Sequence, residues 1–85
     1  MNNKNKQVLN AIFTEPKMVS IMYADVETLL YSLGAEITNG KGSRRRFSLN
    51  GRKCNIDEPH KRPNLLRYQV DDIRSFLQSV GIFPD

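Results

Sequence analysis

Eighty-five residues, 39 % of them apolar and 26 % charged, suffice for one small hydrophobic core and leave no room for a second. Thirteen Lys and Arg stand against nine Asp and Glu, a net charge of +4, with a single Cys, a single His and no Trp. These counts exclude an internal disulfide, a multi-cysteine metal cluster and a two-histidine metal site, and the apolar share is above that of disordered chains.

The first six residues are polar and have no apolar run behind their charges, so a secretory signal is not expected. The longest mostly apolar stretch, residues 18–24, is interrupted by Ser20 and is too short to cross a bilayer. The cytoplasm is the expected location. Val8, Leu9, Ile12 and Phe13 are spaced as one side of a helix, which Pro16 stops. The chain divides into an amino-terminal helical extension, residues 1–17, and a domain over residues 18–85. Val26, Leu29, Leu30 and Leu33 repeat the helical spacing, predicting a helix over residues 24–33 closed by Gly34. Its start is weakly marked, because Tyr23 is a poor cap.

After Gly34 the period changes to two. Ala35 and Ile37 alternate with polar residues, residues 39–42 (Asn-Gly-Lys-Gly) have turn chemistry, and a strand is predicted over residues 43–49. Asn50-Gly51 is a strong hairpin signal, and residues 52–57 form the return strand. Pro59 and Pro63 mark a loop, and a last helix is predicted over residues 68–80, with Val70, Ile73, Leu77 and Val80 on one face. Gly81 and Ile82 are its closing pair, and Asp71-Asp72 are expected in its first turn, where the helix dipole favours acids. The order is α-α-β-β-β-α, an α+β fold in which helices cover one face of a three-stranded antiparallel sheet and leave the other wet.

A two-residue Asn50-Gly51 loop pairs Leu49 with Arg52, which fixes every later pair. Phe47 then lies opposite Cys54 and Arg45 opposite Ile56 on the covered face, with Arg45 at the rim. Arg44, Arg46 and Lys53 share the open face, with Asp57 as the one acid at its edge. Residues 37–56 hold six basic residues and no acid, while the remainder carries seven positive and nine negative charges. Such a block suits phosphate backbones or an acidic protein partner; a merely solubilising hairpin is the bland alternative.

From residue 21 to residue 82 the chain resembles the HicA family, small toxins of bacterial toxin–antitoxin pairs. The resemblance rests on four stretches in order: Leu29-Leu30-Tyr31-Ser32-Leu33-Gly34-Ala35; Gly40-Lys41-Gly42-Ser43 ahead of a basic strand; Pro59-His60; and the run from Ile73 through Ser75-Phe76-Leu77 to Gly81-Ile82. It implies a double-stranded-RNA-binding-like fold for residues 18–85 and ribosome-independent cleavage of mRNA. It further implies neutralisation by a HicB-like antitoxin. One residue departs from the pattern: the family's Gly-Ser-His, whose His is catalytic, reads Gly42-Ser43-Arg44 here. A guanidinium does not shuttle a proton near neutral pH, although it holds phosphate and stabilises transition-state charge.

His60 is the one side chain with an ordinary pKa suited to acid–base work at pH 7. Cleavage through the 2′-hydroxyl needs a base, an acid and cations on the phosphate, so the catalytic candidates are His60 and Arg44. A lone histidine beside two prolines also fits a surface or packing role. The RNA-binding candidates are Lys41, Ser43, Arg44, Arg46, Arg52, Lys53 and Arg62. Ser43 has no nucleophile elbow around it, and Gly40 and Gly42 lack the Gly-Lys-Ser/Thr ending of a phosphate loop. Cys54, Phe47 and Phe76 fall at core positions, whereas Tyr23, Tyr31 and Tyr68 fit an amphipathic rim. No cofactor, metal or membrane is implied; the expected partners are mRNA and an antitoxin protein. The expected function is an mRNA endoribonuclease toxin of a type II toxin–antitoxin system. The alternatives are a non-catalytic RNA-binding module and a protein whose basic face mainly docks an antitoxin.

Overall fold

The computed structural model describes residues 1–14, 20–59, 61 and 63–84. Helix α1 spans Asn3–Phe13, α2 Tyr23–Ser32 and α3 Arg67–Ser79; strands β1, β2 and β3 span Glu36–Asn39, Arg44–Leu49 and Arg52–Asp57. The order is α-α-β-β-β-α, as expected, and the three strands form one antiparallel sheet in the order β1-β2-β3. Among the described residues no helix is long and apolar enough to cross a membrane.

α1 begins well before its apolar stripe, because the Asn2 side-chain oxygen accepts the Asn5 N–H at 2.8 Å and satisfies an otherwise orphaned donor. Val8, Leu9 and Ile12 join the same core as the residues of α2, the sheet and α3. Asn5 is buried too, and its amide donates to Ser32 Oγ at 3.1 Å, tying α1 to the end of α2. α2 starts one residue earlier than its spacing predicts and has no side-chain cap. A tertiary bond replaces it: the Tyr23 N–H donates to the Pro63 carbonyl at 2.9 Å, while the Leu65 N–H donates to that of Ile21 at 2.8 Å.

α2 and α3 end alike. The Ala35 N–H reaches back to the Leu30 carbonyl at 3.0 Å, and the Ile82 N–H to that of Leu77 at 2.9 Å, with Gly34 and Gly81 at the left-handed position between. The expectation for Asp71-Asp72 is not met. α3 starts at Arg67, its first turn holds no acid, and the two aspartates fall in the second turn, with Asp71 3.2 Å from Arg74. The start is set instead by Gln69, whose Oε1 accepts the Leu66 N–H at 2.9 Å.

The hairpin register follows the turn. Asn50 and Gly51 both have positive φ, +50° and +79°, the backbone that a two-residue hairpin requires. Leu49 pairs with Arg52, Phe47 with Cys54 and Arg45 with Ile56, while Ser48, Arg46 and Arg44 pair with Lys53, Asn55 and Asp57. Phe47, Leu49 and Ile56 are buried, with Phe47 fully inaccessible and its ring tilted against Tyr23 at 6.5 Å between centroids. α3 packs on β3, and α1 on α2 and α3.

Candidate nucleic-acid interface

Alternation along the strands gives the uncovered face of the sheet its chemistry. Arg44, Arg46 and Ser48 of β2 share that face with Lys53, Asn55 and Asp57 of β3. The β1 register adds Thr38 beside Arg46 and Glu36 beside Ser48. The face therefore carries a second carboxylate, Glu36, beyond the single edge acid expected from the hairpin alone. The reason is that Glu36 lies outside the two strands whose register the Asn50-Gly51 turn fixes. Among the strand residues, three cations face two carboxylates, and the excess is concentrated along Arg44 and Arg46.

Both arginines are held by the residue directly opposite. Arg44 Nε lies 3.1 Å from Asp57 Oδ1, and Arg46 Nε lies 3.3 Å from Asn55 Oδ1. In each case the cross-strand partner takes the Nε–H, and the terminal η nitrogens have no hydrogen-bond partner among the described residues. That is the edge with which a guanidinium grips phosphate oxygens in a bidentate manner. The Arg44–Asp57 pair is about half exposed on both sides, so water and salt screen it and it costs little to perturb. Gly40 stands opposite Arg44 across the β1–β2 turn and donates its N–H to the Arg44 carbonyl at 2.8 Å. A Cβ at Gly40 would sit 3.0 Å from Arg44 Cγ, so the glycine leaves room for the arginine stem.

The other predicted contacts divide. Lys53 is exposed on the same face as Arg44 and Arg46, and Lys41 is exposed in the β1–β2 turn. Ser43 is half-buried just before β2, where its carbonyl accepts the Glu58 N–H at 2.9 Å. Arg52 pairs with Leu49 at the hairpin end and so has the alternation of the covered face, although it is exposed. It does not join Arg44 and Arg46. His60 and Arg62 lie outside the described residues. Arg45 takes the rim position expected of it: its guanidinium bonds the Gly42 and Arg44 carbonyls at 3.2 and 3.0 Å and Glu58 at 3.0 Å. It staples the β1–β2 turn to the chain after β3, and its charge is engaged there.

Sequence reasoning missed one side chain beside this face. Gln69 is buried, and its Nε2 donates to the Asp57 carbonyl at 3.0 Å, fixing the first turn of α3 against β3. The signal for it is a Gln three residues after the helix-capping position. Tyr68, expected at an amphipathic rim, is 59 % exposed and lines two concavities. Tyr23, by contrast, is buried rather than at a rim; burial and the nearby Glu27 and Glu58 carboxylates push its phenol above the usual range. Burial, with the Asp72 charge adding to it, pushes the half-buried Cys54 thiol up to about 11, so the thiol stays protonated at neutral pH. Among the described residues no group of three or more His, Cys, Asp or Glu is placed to hold a metal ion. No known protein family, curated protein or solved structure matches the chain.

Proposed function

We propose that the protein is a HicA-type toxin, an RNA-binding endoribonuclease of double-stranded-RNA-binding-like fold that a HicB-like antitoxin silences by covering the open face of the sheet. The observation that carries this reading is the pair Arg44 and Arg46 on a sheet face that the described residues leave open, each held at Nε with η nitrogens that have no hydrogen-bond partner among those residues. RNA lies across the face with successive phosphates on these guanidiniums. In cleavage, the 2′-hydroxyl gives up its proton as its oxygen attacks phosphorus, and the bond to the 5′-oxygen breaks as that oxygen takes a proton, leaving a 2′,3′-cyclic phosphate. His60 serves one of the two proton transfers, and Arg44 stabilises the added negative charge on the phosphoryl oxygens. An antitoxin that masks such a surface needs the complementary charge.

One observation favours a second reading, a non-catalytic RNA-binding module. Arg44 stands where the resemblance expects the catalytic histidine, and it is ion-paired to Asp57. Induced expression separates the two, with growth and mRNA integrity followed together. The toxin reading expects growth arrest with mRNA fragmentation, relieved by co-expression of a HicB-like protein. Intact mRNA and normal growth, with RNA binding retained by the purified protein, would leave the binding module.

A further inference from the structure

We propose that Tyr68 is a stacking platform for one unpaired nucleotide of the bound RNA, whose phosphate Arg44 holds; this rests on the RNA-binding reading above and assigns it a single-stranded substrate. Tyr68 is the second residue of α3 and lines two shallow basins. One, of about 200 Å³, is shared with Arg44, Asn55 and Asp72. The other, of about 390 Å³, is shared with Ser43, Pro59 and Leu66. The first basin falls below the roughly 300–1,000 Å³ of small-molecule sites and the second is at its low end, and an exposed ring bordering both suits a chain draped over it.

The ring is anchored at its base, not adrift on the surface. Its neighbour Gln69 bonds both the Leu66 N–H and the Asp57 carbonyl, and Asp57 in turn holds Arg44 at 3.1 Å. Aromatic ring and guanidinium are thereby set against the same strand end. Asp57 is engaged by Arg44, while Asp72 lines the same basin with no ion pair among the described residues, so a phosphate is directed to the Arg44 side and the base to the tyrosine. Tyr31 is more exposed, at 75 %, yet borders neither basin. In a duplex the base faces are already stacked, so an exposed aromatic ring gains its contact only from an unpaired base.

The test compares binding of a fluorescein-labelled single-stranded oligoribonucleotide, blocked against cleavage by 2′-O-methyl groups, with that of a hairpin duplex of the same composition. Tyr68→Ala is expected to weaken single-strand binding roughly 5- to 150-fold and to collapse the single-strand-over-duplex preference, while Tyr68→Phe restores it. In a chain with no native tryptophan, Tyr68→Trp supplies a lone indole whose fluorescence the single strand quenches and the duplex does not. Tyr68→Ala losing the two RNAs equally, or losing neither while Arg44→Ala weakens both, would overturn the platform and leave the RNA face standing. Failure of the unmodified protein to bind either RNA would overturn the RNA-binding reading itself.

Discussion

Three consecutive arginines, 44, 45 and 46, carry the same formal charge and occupy different places, which makes the charge geometry testable at constant net charge. Among the described residues the η nitrogens of Arg44 and Arg46 have no hydrogen-bond partner, whereas Arg45 is bonded to two carbonyls and Glu58 at the rim. If Arg44, Arg46 and Lys53 each meet one phosphate, the slope of log K against log salt for single-stranded RNA should be about −2, at roughly 0.7 per contact. Between 50 and 200 mM salt the affinity should then fall about 20-fold. Removing both guanidiniums in Arg44→Ala plus Arg46→Ala should bring the slope to about −0.7 and the fall to about threefold. The fold should survive, because the one ion pair lost is exposed and worth less than about 1 kcal/mol. Arg45→Met, which keeps an apolar stem at the rim, should leave the slope near −2 while lowering the melting temperature. Fluorescence anisotropy across a salt series, with circular dichroism melts of each variant, reads both quantities. Equal loss of slope in Arg45→Met and in either open-face single variant would mean that net charge, not the face, drives binding.

Phe47→Ala removes a fully buried ring from the centre of the sheet and should cost about 3–5 kcal/mol, a large share of the stability of a domain this size; urea unfolding measures it. The Cys54 thiol, raised from 9.0 to about 11, should resist alkylation in the native protein until the pH approaches 11 and react readily in urea. Because the folded value is the higher one, its contribution to stability is complete below pH 9 and is lost as the pH rises through 11, so denaturant midpoints should drop across that window relative to Cys54→Ala. His60→Ala should slow RNA cleavage by roughly 10²–10⁴-fold with little change in affinity; an undiminished rate removes His60 from the mechanism.

What the sequence made legible was local chemistry. Asn50-Gly51 allows one tight turn, the turn allows one register, and the register sends every side chain of residues 44–57 to a face, which is why Phe47, Cys54, Arg44 and Arg46 fall where the spacing puts them. Gly34 and Gly81 likewise announce helix ends that need no distant partner. What stayed hidden depends on residues far apart in the chain. The start of α2 is fixed by the carbonyl of Pro63, forty residues away in sequence, and no cap at Tyr23 could have shown it. Glu36 reaches the open face through a wider turn over residues 40–43, whose register has no single-dipeptide signature. Asp71 and Asp72 were placed by assuming a later helix start, whereas Gln69, a buried amide serving two elements, sets the true one.

The two candidate roles on this face separate at one residue and merge at another. On the proposed reading Arg44 serves both as a binding cation and as the transition-state cation, so its truncation is expected to lower affinity and rate together. On the same reading His60 acts on proton transfer and not on phosphate affinity, so its truncation is expected to lower rate alone. For Arg44, Gly40 leaves space for the side-chain stem, and Asp57 accepts the Nε–H. A histidine at position 44 would keep the carboxylate neighbour but lose the forked η edge. An arginine there trades proton transfer for a firmer grip on phosphate, so on the proposed reading the proton transfer falls to another residue. That requirement directs attention to the chain just beyond β3, where His60 follows Pro59 in sequence.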